Sequence, residues 1–243
     1  MVDLPTERII YESNVVIVDS TFQDIFNNYD LNDFYLNIQI NNSKVSYNGG
    51  GKIFNSNTEF SGEQSNINEG FTDEIKGKYI LKRSFSEYFF PTGDFIIQGE
   101  SEILYNIIED DNGFSKIEGL GNLENLNLKS DFLGPNLDFN NGKLRFLIRP
   151  YDNSFSGFAD IKTNNLNVEV NSIFNLTKLI ELDVQTFKSP IQDFNLKYEG
   201  ENNKFLINAN KLSLDSIDIF EEDNLKIESF ELDLKIDDFK IGD

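Results

Sequence analysis

Residues 224–237 read NLKIESFELDLKID. From Phe230 onward every second residue is apolar, Phe230, Leu232, Leu234 and Ile236, with Glu231, Asp233, Lys235 and Asp237 between them. Successive side chains of a strand point to opposite sides of its sheet, so strict alternation marks a strand with one wet and one buried face. The fold class depends on how often the pattern recurs, and the function on what the apolar face covers.

It recurs from one end of the chain to the other. Leu36, Ile38 and Ile40 alternate with Asn37, Gln39 and Asn41, and Leu144, Phe146 and Ile148 alternate with Lys143, Arg145 and, less well, Leu147. Leu166, Val168 and Val170, and then Phe194, Leu196 and Tyr198, repeat it. Turn residues fall between such runs: Asn48 to Gly51, Asp111 to Gly113, Asn140 to Gly142, Gly200 to Asn203 and Glu221 to Asn224. The Asn141-Gly142 pair suits a tight hairpin, because both residues tolerate positive φ. All five prolines stand outside the clearest periodic runs, so an antiparallel meander is expected in place of βαβ units.

In an all-β chain at most two short helices are expected. Phe22, Ile25, Phe26 and Tyr29 fall at i, i+3, i+4 and i+7 behind Ser20 and Thr21, which suits a capped helix over Ser20–Tyr29. Ser172 to Ile180 is ambiguous between helix and strand. No composition break marks a linker, so one elongated β-rich domain is expected over 1–243, with a soft boundary near 110–113.

Composition excludes several classes of function. Cysteine and histidine are both absent, which removes disulfides, thiolate metal sites and the usual general base near neutral pH. The 42 acidic residues against 21 basic give a net charge of -21, a field that repels nucleic acid, so no nucleic-acid partner is expected. The first twenty residues show no basic segment followed by an apolar core, so no signal or transit peptide is expected there. No apolar run approaches the roughly 20 residues that a helical membrane span needs.

Motifs that would carry chemistry fail on inspection. In NGGGKIF, Ser46 stands where the first glycine of a phosphate loop belongs and Ile53 follows Lys52 in place of Ser or Thr, so the segment reads as a turn. Gly119-Leu120-Gly121 begins a dinucleotide fingerprint that lacks its third glycine. Neither Glu109 to Gly113 nor Asp30 to Asp33 has the ligand spacing of a calcium loop; Tyr35 occupies the place of the required glycine in the second. Among so many acids no carboxylate pair stands out for glycoside hydrolysis. No enzyme, cofactor or metal site is expected. Lys143, Arg145 and Arg149 form a basic stripe on one predicted strand, read as protection of a sheet edge. Asn41-Asn42-Ser43 and Asn175-Leu176-Thr177 match the glycosylation pattern, a frequent coincidence in an Asn-rich chain.

The apolar faces, with 23 Phe, 9 Tyr and no Trp, remain. Two sheets packing such faces would make a sandwich, whereas one long curled sheet would leave an open groove. Sequence alternation is identical in the two cases. The candidate groove wall comprises Phe194, Leu196, Tyr198, Leu212, Leu214, Phe230, Leu232, Leu234 and Ile236.

Serial strands with Gly-initiated alternating segments, such as FSGEQ, GDFIIQGESEI, NNGKLRFLIRP, SFSGFADIKTNNLNVEV and KFLINANKLSLDSIDI, resemble the AsmA-like and TamB-like envelope proteins. These are the bacterial branch of the repeating β-groove, or bridge-like, lipid-transfer superfamily. The likeness lies in the texture of the strands over residues 35 to 241, with no diagnostic motif, so no functional residue is carried across. It implies an elongated, curved antiparallel sheet holding phospholipid or another acyl-chain ligand in an apolar groove. It further implies a periplasmic or cell-envelope location, a membrane-protein or envelope partner, and, because full-length members are longer and anchored at the N-terminus, a fragment or a shortened relative. The alternative is a secreted or surface β-sandwich that binds glycans or proteins, and a carboxylate hydrolase comes third.

Overall fold

The computed structural model describes residues 12–26, 29–41, 44–65, 73–89, 95–110, 113–130, 134–175, 178–201, 204–213, 231–236 and 239–240. In chain order the elements are β1 (Glu12–Phe26), β2 (Tyr29–Asn41), β3 (Lys44–Ile53), β4 (Ser56–Ser65), β5 (Asp73–Lys82) and helix α1 (Arg83–Phe89). Then come β6 (Ile96–Asp110), β7 (Gly113–Asn122), β8 (Leu126–Ser130), β9 (Gly134–Asp138), β10 (Lys143–Tyr151) and β11 (Ser154–Lys162). The last are β12 (Asn167–Phe174), β13 (Leu179–Lys188), β14 (Asp193–Glu199), β15 (Lys204–Ser213), β16 (Glu231–Ile236) and β17 (Phe239–Lys240).

Thirteen of these strands form one open, curved antiparallel sheet. Each strand pairs with the next in the chain, except that β7 pairs with β10 and leaves the β8–β9 hairpin outside the sheet. Beyond β15, β16 and β17 are added in parallel. The sheet is therefore a meander laid across the long axis of the groove, as the alternation and the short turns dictate.

The hairpin exists because β6 bends at Gly99. Its φ of 91° is open to glycine, and a Cβ there would collide with the Asn125 carbonyl. Ile96 to Gly99 leave the main sheet and pair with β8, which carries β9 on its far side. The hairpin folds over one border of the sheet. Leu126 and Leu137 are buried there against Ile103, Leu123, Phe139 and Leu166. Helix α1 covers the same border beside β5, with Phe85 edge-on to Phe54 and Tyr79. Ser86, on the inner side of α1, is buried, its hydroxyl accepting from the Ile97 amide at 3.1 Å.

Several sequence expectations need correction. Ser20–Tyr29 is not helical: β1 and β2 occupy it, and bulges between Ile17 and Phe26 break the period-2 spacing into one that mimics a helix. Asp19, in the left-handed region with φ 49°, marks the first of these irregularities. Ser172–Ile180 is the end of β12, a turn and the start of β13. The helix that does form, α1, lay in a segment read without one. The NGGG segment is no turn either; it is the middle of β3. Asn140 and Asn141 do turn, with the Gly142 amide donating to Phe139 at 2.6 Å, but they join β9 to β10, which pair with other strands. Pro150 stands inside β10, and that strand is no sheet edge, being flanked by β7 and β11. At the soft boundary near 110–113, β6 ends and β7 begins, with Asp110 opposite Gly113 in their ladder. Glu221–Asn224 lies outside the described residues.

Candidate functional site

Cross-strand partners in an antiparallel sheet share a face, so the register assigns every residue to one side. A middle row on one side runs Gly49, Phe60, Gly77, Tyr105, Gly119 and Phe146 in the N-terminal half. It continues as Ala159, Val170, Val184, Leu196, Ile207 and Leu234. A second row runs through Ile75, Ile107, Ile117 and Ile148 to Leu182, Tyr198, Phe205 and Leu232. A third, nearest the hairpin, runs through Tyr79, Ile103 and Leu144 to Ile161, Val168, Phe187, Phe194, Ala209 and Ile236.

From β3 to β16 these three rows contain glycine, apolar and tyrosine residues with only Thr58 and Ser172 interrupting them. They include no charged residue, in a chain of which 26% is charged. A second sheet packed on them would bury them at a spacing of about 10 Å. Most are half-buried instead; the largest cluster of fully buried side chains gathers under the hairpin and α1, with Val184 and Ala209 buried outside it. At about 4.8 Å per strand the face is about 60 Å long, and three rows make it about 14 Å high.

The two halves of this floor are built differently. In the N-terminal half aromatic rings lie on cross-strand glycines: Tyr47 on Gly62, Tyr105 on Gly77, Phe146 on Gly119. Phe60 covers Gly49, where a Cβ would stand 2.7 Å from its ring. A ring lying over glycine occupies the space of the missing side chain and leaves the groove above it open. In the C-terminal half aliphatic residues take the same positions, with Phe187–Phe194 stacked and Tyr198–Phe205 tilted, each pair 4.6 Å between centroids. Along the border away from the hairpin, Phe155 bridges Phe114 at 6.0 Å and Phe174 at 5.9 Å.

The opposite face is polar and carries the ion pairs. Lys78 lies 3.1 Å from Glu59, whose hydrogen bond and charge hold its ammonium above the usual range. Lys116 lies 2.8 Å from Glu118, and Lys44 pairs with Glu63. Of the basic stripe, Arg145 is spent on Asp160, which is 3% exposed and also sits 3.3 Å from Lys162 Nζ. Burial, the largest influence on that carboxyl, pushes its pKa up. The hydrogen bonds and charges of Arg145 and Lys162 outweigh it and hold the group below its ordinary value. A cleft of about 500 Å³ on this face is lined by Leu104, Leu120, Leu147 and Phe158 beside Arg145.

Of the wall residues read from sequence, Phe194, Leu196 and Tyr198 occupy the three rows in order on β14. Leu232, Leu234 and Ile236 stand opposite Phe205, Ile207 and Ala209 in the β15–β16 ladder, so the backbone register continues the same rows. Leu212 lies past the irregularity in β15, opposite Phe239. Leu214 and Phe230 lie outside the described residues. Sequence reading missed the N-terminal floor, because its glycines looked like turns. The available signal was an aromatic residue on the neighbouring strand for Gly49, Gly62, Gly77 and Gly119.

Among the described residues, no group of three or more acidic residues is placed to hold a metal ion. No helix among them is long and apolar enough to cross a membrane. No protein-family model matches the chain, and neither a curated protein nor a solved structure matches it.

Proposed function

We propose that the chain is a non-enzymatic β-groove module that holds acyl chains of phospholipid along its uncharged face, in the manner of the AsmA-like and TamB-like proteins that its strands resemble. One observation carries this reading: three consecutive rows cross the sheet from β3 to β16 without a charged residue, and no second sheet covers them among the described residues. Apolar area left partly open to water is unfavourable by roughly 25 cal/mol per Å², and large contiguous apolar patches mark binding surfaces. A chain-like apolar ligand lying along the floor removes that area from water. Polar headgroups would remain at the border away from the hairpin. A place in the bacterial envelope, working with a membrane-protein partner, belongs to the same proposal.

The test is mass spectrometry of organic extracts from protein purified from cells, with delipidated protein then mixed with phospholipid vesicles and re-isolated. Stoichiometric phospholipid in the first extract, or regained from vesicles, supports the reading. Protein that carries no lipid after either treatment overturns it.

A further inference from the structure

β1 is apolar where the strands beside it are polar: the row that starts at Val16 continues as Asn37, Asn48, Ser61 and Lys76. In β1 itself the run Asn14-Val15-Val16-Ile17-Val18 is apolar on both faces. Val15, Val16 and Val18 are 44%, 58% and 62% exposed. Strands apolar on both faces are strands covered on both faces. Among the described residues β1 pairs with β2 alone, which leaves its outer edge without a neighbouring strand among them. The other end of the sheet is protected differently: ELDLKI in β16 sets Glu231, Asp233 and Lys235 at every second position. Alternating charge guards an edge, and β1 has no such guard between Asn14 and Val18.

We propose that the outer edge of β1 docks a second copy of the same chain, the two β1 strands pairing antiparallel about Val16. Centred there, Val16 faces Val16, Val15 faces Ile17 and Asn14 faces Val18, so no charged residue enters the ladder. Moving the centre to Val15 sets Glu12 opposite Val18, a carboxylate against an apolar side chain, and moving it to Ile17 leaves only Val16 to Val18 to pair. The pairing stops past Val18, where Asp19 takes φ 49° and the Ser20 hydroxyl donates to the Val18 carbonyl at 3.2 Å. A two-fold axis normal to the sheet keeps both uncharged faces on one side, closes the assembly at two copies and doubles the groove to about 120 Å. The net charge of -21 on each copy opposes the contact, so dimerisation strengthens as salt shortens the screening length. This inference goes beyond the lipid reading and rests on the strand edge alone.

Analytical ultracentrifugation of the full chain, over a range of concentration at low and high salt, tests it by mass. The expected result is a monomer–dimer equilibrium that tightens with salt. Val16→Lys, at an exposed position, is expected to keep the circular dichroism and thermal midpoint of the parent and to raise the dissociation constant about tenfold or more, since like charges then face each other. The chain has no cysteine, so single replacements read the register. Val16→Cys crosslinks to itself, whereas Val18→Cys does not, because its mates lie about 14 Å apart along the ladder. A wild type that stays monomeric throughout, a Val16→Lys protein that dimerises as before, equal crosslinking at both positions, or an open-ended or mixed assembly each overturns the proposal.

Discussion

The ring of Tyr105 lies across Gly77 on the neighbouring strand, and its hydroxyl reaches Thr58 Oγ1 at 3.1 Å. There is no room for a Cβ at residue 77 while the ring stays there. Gly77 does not have positive φ, so its backbone accepts alanine. Gly77→Ala therefore costs about 1–3 kcal/mol by displacing the ring, against a gain of about 0.4–1 kcal/mol from a stiffer unfolded chain. Net destabilisation is expected in the wild type. In a Tyr105→Ala background the clash is gone, and the same replacement is expected to stabilise. A double-mutant cycle by urea denaturation that shows the same sign in both backgrounds removes the aromatic-over-glycine account.

Asp160 is expected to contribute to the acid limb of the stability curve. Its carboxyl titrates below the ordinary 3.8 in the folded chain, so the stability that it contributes is complete above that value. The contribution is lost as pH falls through the lower folded value. Asp160→Asn is expected to cost about 1–3 kcal/mol at neutral pH and to flatten the decline of thermal midpoint below pH 4. Arg145 is 58% exposed, so the freed guanidinium is hydrated and adds no burial penalty. Parallel wild-type and mutant curves down to pH 2 would assign the acid limb to other carboxylates.

The hairpin should hold most of the tightly packed stability. Leu126 is 3% exposed inside the main cluster, whereas Leu120 is 61% exposed on the polar face. Leu126→Ala is expected to cost about 2–5 kcal/mol through lost burial and a residual cavity. Leu120→Ala should stay within about 0.5 kcal/mol, as surface replacements usually do. Chemical denaturation midpoints decide the point, and equal losses at the two positions would contradict the packing described.

Where period 2 was intact, the sequence was a faithful guide. Leu144, Phe146 and Ile148 fall in the three rows, and so do Phe194, Leu196 and Tyr198. Where it failed, a local event had displaced it. Bulges made Phe22, Phe26 and Tyr29 look helical, and close approach of Phe60 and Tyr35 put Gly49 and Gly50 inside a strand. Helix α1 spans seven residues, too few for a 3.6-residue period to repeat convincingly. Openness of the face could not be read at all, because a sandwich and a groove use the same alternation. It depends on what the rest of the chain places opposite, and among the described residues that is one hairpin and one short helix along a single border.

That border permits a direct comparison between covered and open parts of the same apolar face. Ile103 is 6% exposed beneath the hairpin, while Leu196, in the middle row of β14, is half-buried with no element packed above it among the described residues. A carboxylate at residue 103 would be buried among Leu123, Leu126 and Leu137 without a partner, at a cost of several kcal/mol, a large part of a typical domain's stability. At residue 196 water reaches the groove when it is empty, so the carboxylate stays partly hydrated and the thermal midpoint should fall by only a few degrees. Ligand binding reverses the balance, because an acyl chain lying on the floor strips that water away. Leu196→Asp is thus expected to fold and to hold markedly less lipid than wild type, with Ile103→Asp severely destabilised. Thermal scans and lipid extracts of the two proteins check both halves. If Leu196→Asp is as damaged as Ile103→Asp, the face is covered along its whole length and there is no groove for lipid to occupy.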